Sequence, residues 1–268
     1  MKTRAIMVFL GLLGGVLPAQ ATIVVTGALT KELEVTPGET SQGTIEVFNP
    51  DHSPQDVRVY QTDYSCYSDG RILYGEPGTL PRSNARWTAL GTSQVTIPPG
   101  ETVPILFTVT VPNVRSLKGT YWSVIMVEPV LEAATPLNTE DPSVPQIQLR
   151  QVFRYAVQVV TTLADTGRAE LKFLGLRVET SPSQTLLHAD VENVGERWLR
   201  GTLRVEVYNT SGALVGKFDG GQKRILPGSS VRFSTNFPGL RRADYRALVV
   251  VDCGGDDVFG TQVKLDLW

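Results

Sequence analysis

The stretch "PQIQLRQVFRYAVQVV", residues 145–160, decides the fold class. From Ile147 the odd positions read Ile147, Leu149, Gln151, Phe153, Tyr155, Val157 and Val159. The even positions read Gln148, Arg150, Val152, Arg154, Ala156, Gln158 and Val160. Strand side chains alternate between faces, so one mostly apolar face is backed by a mostly polar one. Residues 147–160 at about 3.3 Å each run roughly 46 Å, more than twice a typical strand. Two arrangements accommodate such a strand. It is buried in a sandwich along its whole length, or its front half, 147–153, stands as an open edge.

Outward from this stretch the chain is strand-like runs separated by turn residues, with almost no helix signal. "LEVTPGETSQGTIEVFNP", "DVRVYQTDYSCYSDGRILY", "SQVTIPPGETVPILFTVTVP" and "GTYWSVIMVEP" are broken at Pro37-Gly38, Asn49-Pro50, Asp69-Gly70 and Pro99-Gly100. The second half repeats the syntax. "VTIPPGETVPILFTVTVPNVRSLKGTYWSVIMV" is echoed by "KRILPGSSVRFSTNFPGLRRADYRALVVV", each with a Pro-Gly turn, an alternating strand and a Tyr (Tyr121, Tyr245) opening a buried strand. Two related modules of this size predict an all-β chain of tandem β-sandwiches, residues 22–165 and 166–268, with the boundary in "ADTGRAE", residues 164–170.

The first residues set the expected location. Lys2 and Arg4, an uncharged apolar run from Ala5 to Leu17 and then Pro18-Ala19-Gln20-Ala21 read as a secretory signal peptide, residues 1–21. No later run is long and apolar enough to suggest a membrane span in the mature chain. With Lys2 and Arg4 removed, 25 basic residues fall to 23 against 27 acidic ones, a net charge near −4. No basic cluster stands out, so nucleic acid is a poor partner. Cys66 and Cys253 are the two cysteines, and they pair as a disulfide or stay as isolated thiols.

Enzymatic chemistry has little to work with. His52 lies in the turn "NPDHSPQD" and His188 on a strand of the other module, neither in a nucleophile motif. No His/Cys pair has metal-ligand spacing, and "DCGGDD", residues 252–257, departs from the calcium-loop pattern. The expectation is a non-enzymatic protein without cofactor or metal. Trp87, Tyr121 and Trp122 read as core aromatics, with an exposed partner patch as the alternative. Lys118, Arg241 and Arg242 read as solvated loop charges. Two long polar segments are recognition candidates: residues 75–86, and the acidic, Pro-rich "VLEAATPLNTEDPSVP" before the long strand, residues 130–145.

The order of elements resembles the periplasmic chaperones of fimbrial (pilus) assembly. The resemblance is carried by "LEVTPGETSQGTIEVFN" ending in Asn49, by "IPPGETVPILFTV", by "GTYWSVIMVEP" before the long loop, and by "QIQLRQVFRYAVQVV" as last strand of the first domain. It implies two immunoglobulin-like domains and a periplasmic or secreted location. It also implies a protein partner, pilin-like or another surface subunit, bound by edge-strand addition. Carried over, Ile147, Leu149, Gln151 and Phe153 are the strand donors, gated by the loop 130–145. The family's cationic anchor for a partner carboxylate falls at Leu33 and Gln158, with Lys31 nearby on the first strand. Lys31 and Gln158 are therefore the candidate anchor, although a Gln supplies hydrogen bonds and no counter-charge. A second resemblance is to Gram-positive surface proteins that hold WxL-type wall proteins. Those normally end in a membrane helix and a basic tail, whereas this chain ends "TQVKLDLW". The alternative function is a secreted adhesive or structural module that binds through the loop 75–86.

Overall fold

The computed structural model describes residues 23–130, 152–181 and 184–267. The expected leader, most of the loop 130–145, and Ile147, Leu149 and Gln151 lie outside the described residues.

Among the described residues the first half holds ten strands: β1 (Val24–Thr26), β2 (Thr30–Val35), β3 (Thr40–Phe48), β4 (Gln55–Cys66), β5 (Ile72–Gly75), β6 (Thr88–Leu90), β7 (Gln94–Ile97), β8 (Thr102–Thr110), β9 (Thr120–Pro129) and β10 (Tyr155–Leu163). One sheet runs β1-β3-β8-β6; the other runs β2-β10-β9-β4-β5, with β7 also on β4. Period-two patterning explains the pairing of the layers. In β8, Ile105, Phe107 and Val109 point inward while Leu106 faces solvent. They meet Ile45 and Val47 of β3, and across the sandwich Val57, Val59, Ile125, Val127, Val157 and Val159, in one buried cluster. β9 is buried on both faces, which is why "YWSVIMV" reads as a continuous apolar run rather than an alternating one.

The second half is a second sandwich with its own core. Its strands are β11 (Leu171–Thr180), β12 (Thr185–Asn193), β13 (Leu199–Asn209), β14 (Leu214–Ile225), β15 (Ser230–Asn236), β16 (Asp244–Asp252) and β17 (Val258–Asp266). Sheets β11-β12-β15 and β14-β13-β16-β17 close over Leu187, Val191, Leu203, Val205, Phe233, Val249 and Leu265. Tyr245 donates its hydroxyl to Arg241 O at 3.1 Å, the tyrosine corner of immunoglobulin-like sandwiches.

The echo between the halves is structural as well as textual. Asn49 Nδ2 donates to Ser53 O and Ile97 O, and Asn193 Nδ2 donates to Arg197 O and Ile225 O. The Gly100 N–H donates to Asn49 O, and the Gly228 N–H to Asn193 O. Each buried Asn thus ties its own turn to the Pro-Gly turn, satisfying carbonyls that neither sheet can reach.

The deciding stretch differs from its reading in extent. Val152–Arg154 have no strand structure; β10 starts at Tyr155 and runs on to Leu163. Its alternation is as expected: Tyr155, Val157, Val159 and Leu163 pack with the first core. The extra length at the far end comes from β2, which pairs parallel to β10 from Gln158↔Thr30 to Leu163↔Val35. Threonines 161 and 162 obscured this in the sequence, yet Thr is at home in a paired strand.

Candidate partner-binding cleft

Between the two sandwiches lies a third apolar cluster of Trp122, Val160 and Leu226, with Tyr64 and Trp198 packed against it. Trp122 is therefore buried, as expected, but between the domains rather than inside the first one. Its Nε1–H donates to Tyr64 O at 2.8 Å. Trp87 and Tyr121 stack at 4.5 Å against the first core. Backbone and side-chain bonds cross the junction. Thr120 N–H donates to Glu196 O at 2.8 Å, Trp198 N–H to Thr120 Oγ1 at 3.0 Å, and Ser68 N–H to Ser230 Oγ at 2.9 Å. Arg82 donates to Lys118 O and lies 3.6 Å from Glu196.

On one side of this junction β10 meets solvent. It pairs with β9 from Tyr155 to Thr162, but β2 begins only opposite Gln158, whose N–H donates to Leu29 O at 2.9 Å. Before Thr30 the chain leaves for the other sheet, where β1 pairs with β3. Successive N–H groups of a strand point to opposite sides, so the Ala156 N–H points the same way as that of Gln158. Among the described residues, no strand lies beside it there.

That edge opens into a cavity of about 360 Å³ lined by Leu29, Thr30, Tyr64, Cys66, Ala156, Gln158, Arg224 and Leu226. Arg224, near the end of β14, reaches across the junction to donate to Thr30 Oγ1 at 2.6 Å and to Glu32. Arg200 lies 3.4 Å from the same Glu32 oxygen. The Arg224 and Arg200 guanidiniums lie 5.0 and 5.4 Å from the Trp198 ring, a cation–π arrangement. Two cations sharing one carboxylate leave the cluster net positive, and the buried Arg224 Nε has no hydrogen-bond partner among the described residues. Burial, then the neighbouring Cys66, pushes the Tyr64 hydroxyl well above the usual tyrosine range, so it stays protonated at the cavity wall.

Gln158 is thus at the cavity, but Lys31 is not beside it. Lys31 is paired opposite Val159, on the core-facing side of the sheet, whereas Gln158 and Thr30 share the opposite side. Leu33 packs against the first core. Phe153, the described member of the donor series, is 40% exposed just ahead of β10. Sequence reasoning missed Arg224, Arg200 and Trp198, because they come from the other domain and meet β2 only through the fold. The run "RWLR", residues 197–200, was the visible signal for Trp198 and Arg200; Arg224 had none.

The loop 75–86 is ordered around a buried carboxylate. Asp63 is 1% exposed and accepts from the N–H groups of Gly78, Thr79 and Leu80 and from the Ser83 hydroxyl. Burial pushes this carboxyl up, but the Ser83 bond and the three N–H bonds together outweigh it and hold it below the usual range. Leu80, Pro81 and Arg82 line a second junction cavity, of about 380 Å³, with Trp122 and Pro227.

Cys66 and Cys253 are both free. Burial pushes the Cys253 thiol up to about 11. His188 Nδ1 lies 2.8 Å from Ser234 Oγ, and Nε2 lies 3.4 Å from Glu179. The trio sits on neighbouring positions of β11, β12 and β15, with Ser234 exposed. Three groups on an open sheet face lack the enclosed, preorganised donors that nucleophilic catalysis uses. Among the described residues, no group of three or more His, Cys, Asp or Glu side chains is placed to hold a metal, and no helix is long and apolar enough to cross a membrane.

The fold and the junction define a protein of two tandem immunoglobulin-like β-sandwiches with a strand edge opening on the cleft between them. No protein-family model matches the chain, and no curated protein matches it. Solved structures do resemble it. One belongs to a chaperone–tip adhesin complex of CFA/I fimbriae biogenesis, at 12% identity over 90% of this chain and 97% of that one, with a TM-score of 0.49. Another is from the CsuC–CsuE chaperone–tip adhesion subunit complex of Acinetobacter baumannii Csu pili, at 13% identity over 91% and 97%, TM-score 0.44. A third is from the Salmonella enterica SafA pilin–SafB chaperone complex, at 13% identity over 92% and 99%, TM-score 0.44. The fold assignment stands on the sheet order and the two cores described above.

Proposed function

We propose that this is a non-enzymatic, chaperone-like protein of the periplasm or cell surface that binds a protein subunit by strand addition at the front of β10. The carrying observation is the Ala156 edge: a backbone N–H pointing away from β9, at the mouth of a cavity with a net-positive rim. An added strand gains main-chain bonds there, while side chains of the partner fill the space beside Tyr64 and Leu226. Phe153 extends the apolar side of the same edge, and the series Ile147, Leu149 and Gln151 belongs to the proposal as its upstream part. Gln158 and Arg224 supply donors for a carboxylate of the partner, with Arg224 giving the charge that Gln158 lacks. The resemblance to pilus-assembly chaperones in the element order makes an immunoglobulin-like fibre subunit lacking its last strand the fitting partner class. A second reading, binding through the loop 75–86, has its support in the cavity at Leu80, Pro81 and Arg82.

The test is co-purification with such an incomplete subunit. Ala156→Pro removes the outward N–H without touching the bonds to β9, so binding falls at least about tenfold while the unfolding temperature barely moves. Arg224→Gln weakens binding of a subunit ending in a free carboxylate more than that of its amidated form. Unchanged binding by Ala156→Pro overturns the reading.

A further inference from the structure

The core face of the first sandwich carries a polar patch apart from the cleft. On β9, Ile125 and Val127 face the core, and so does Ser123, which stands opposite the core residue Val159. On β4, Val57 and Val59 face the same core, and Gln61, opposite Ile125, shares their side. Ser123 and Gln61 are thus diagonal neighbours on one face of two paired strands. Asn84 crosses β9 at the same place. Its N–H donates to Trp122 O at 3.3 Å, and its Nδ2 reaches β10, donating to Val159 O at 3.0 Å and Thr161 Oγ1 at 2.8 Å. Gln61 Nε2 donates to Thr88 O at 2.9 Å, and the Thr88 hydroxyl donates to Asn84 O at 3.0 Å. These bonds fix which end of each amide is nitrogen. Ser123 and Asn84 are fully buried, yet Asn84 Oδ1, Gln61 Oε1 and Ser123 Oγ have no hydrogen-bond partner among the described residues. Buried polar atoms ordinarily have one.

We propose that these three atoms form a buried binding site for one water molecule. The count of donors and acceptors selects water. The two amide oxygens only accept, and the serine hydroxyl has one proton to give. A water donates one hydrogen to Asn84 Oδ1 and the other to Gln61 Oε1, and accepts the Ser123 proton. All three groups are then satisfied, and three bonds are the usual number for a buried water. A direct bond from Ser123 to either amide leaves the other oxygen without a donor. A metal cation accepts no hydrogen bond, so it leaves the Ser123 proton without an acceptor; an anion gives the amide oxygens nothing. The bridge sits where the pairing of β4 with β9 ends, at Thr62↔Val124. There it ties the end of the loop 75–86 to the sheet, as Asp63 ties its middle. Trp122 and Val160 of the junction lie on the opposite face of the sheet, so the site is independent of the reading of the cleft.

The experiment pairs an atomic-resolution crystal structure of the purified protein with oxygen-17 magnetic relaxation dispersion, which counts the waters held inside it in solution. The crystal structure shows one water at about 2.7–3.0 Å from each of the three oxygens. Ser123→Val removes the hydroxyl and places a methyl group in the water's position, in a strand that is otherwise apolar there. In this variant the dispersion amplitude falls by one long-lived water relative to the wild type. Three results overturn the proposal: no density among the three oxygens, a metal ion there, or an equal count of held waters in a folded Ser123→Val. Should Ser123→Val fail to fold, the crystal structure of the unmodified protein decides alone.

Discussion

Asp63 shows what one side chain does in this fold. Its carboxylate collects donors from residues 78–83 and gives a long polar loop a fixed course along the junction. Because its folded pKa is depressed, its contribution is fully present above the ordinary carboxylate value of about 3.9 and is lost as pH falls through the folded value. Asp63→Asn replaces an acceptor by an amide that meets N–H groups head on, a cost of about 1–3 kcal/mol. Thermal unfolding near neutral pH should show a drop of about 2–4 °C per kcal/mol. The gap between wild type and variant should narrow at acid pH, below the ordinary carboxylate range, as the native carboxylate takes up its proton. An equal gap at both pH values would remove the carboxylate from this role. None of this is legible in "DYSC", because the donors lie 15–20 positions away in sequence.

At the scale of elements, alternation was the readable signal and pairing was not. The odd positions of β10 reach the core as the sequence indicates, since a buried face needs a strict period of two. The limits of β10 depend on its neighbours. β2 protects the threonines at its end, and the switch of the first strand from one sheet to the other at Gly27 leaves the Ala156 side open. The duplicated turns were visible as Pro-Gly punctuation, but the asparagine clamps behind them were not. Asn193→Ala strips two carbonyls and the Gly195 N–H of their partners. The expected loss is about 2–4 kcal/mol in denaturant unfolding. A loss within about 0.5 kcal/mol, ordinary for a surface site, would contradict the clamp.

At the scale of the molecule, two cores and one shared junction make the cleft. The tandem was readable from the echo between halves; the junction was not, since Trp122, Val160, Leu226 and Trp198 come from strands far apart in sequence. Gly119 marks how tightly the domains meet. At a φ of +70°, a Cβ there would lie 2.1 Å from Glu196 O. Gly119→Ala should therefore lower stability and shift the interdomain angle, read by small-angle scattering; an unchanged profile and unfolding midpoint would show that the junction yields freely. With the cleft fixed in this way, the open front of β10 is the central claim, and amide exchange tests it most directly. The account predicts that in the free protein the Ala156 amide exchanges fast while Val157, Gln158 and Val160 are protected, and that Ala156 becomes protected when a strand-deficient subunit is added. Protection of Ala156 in the free protein, equal to that of Gln158, would mean the edge is already occupied and would contradict it.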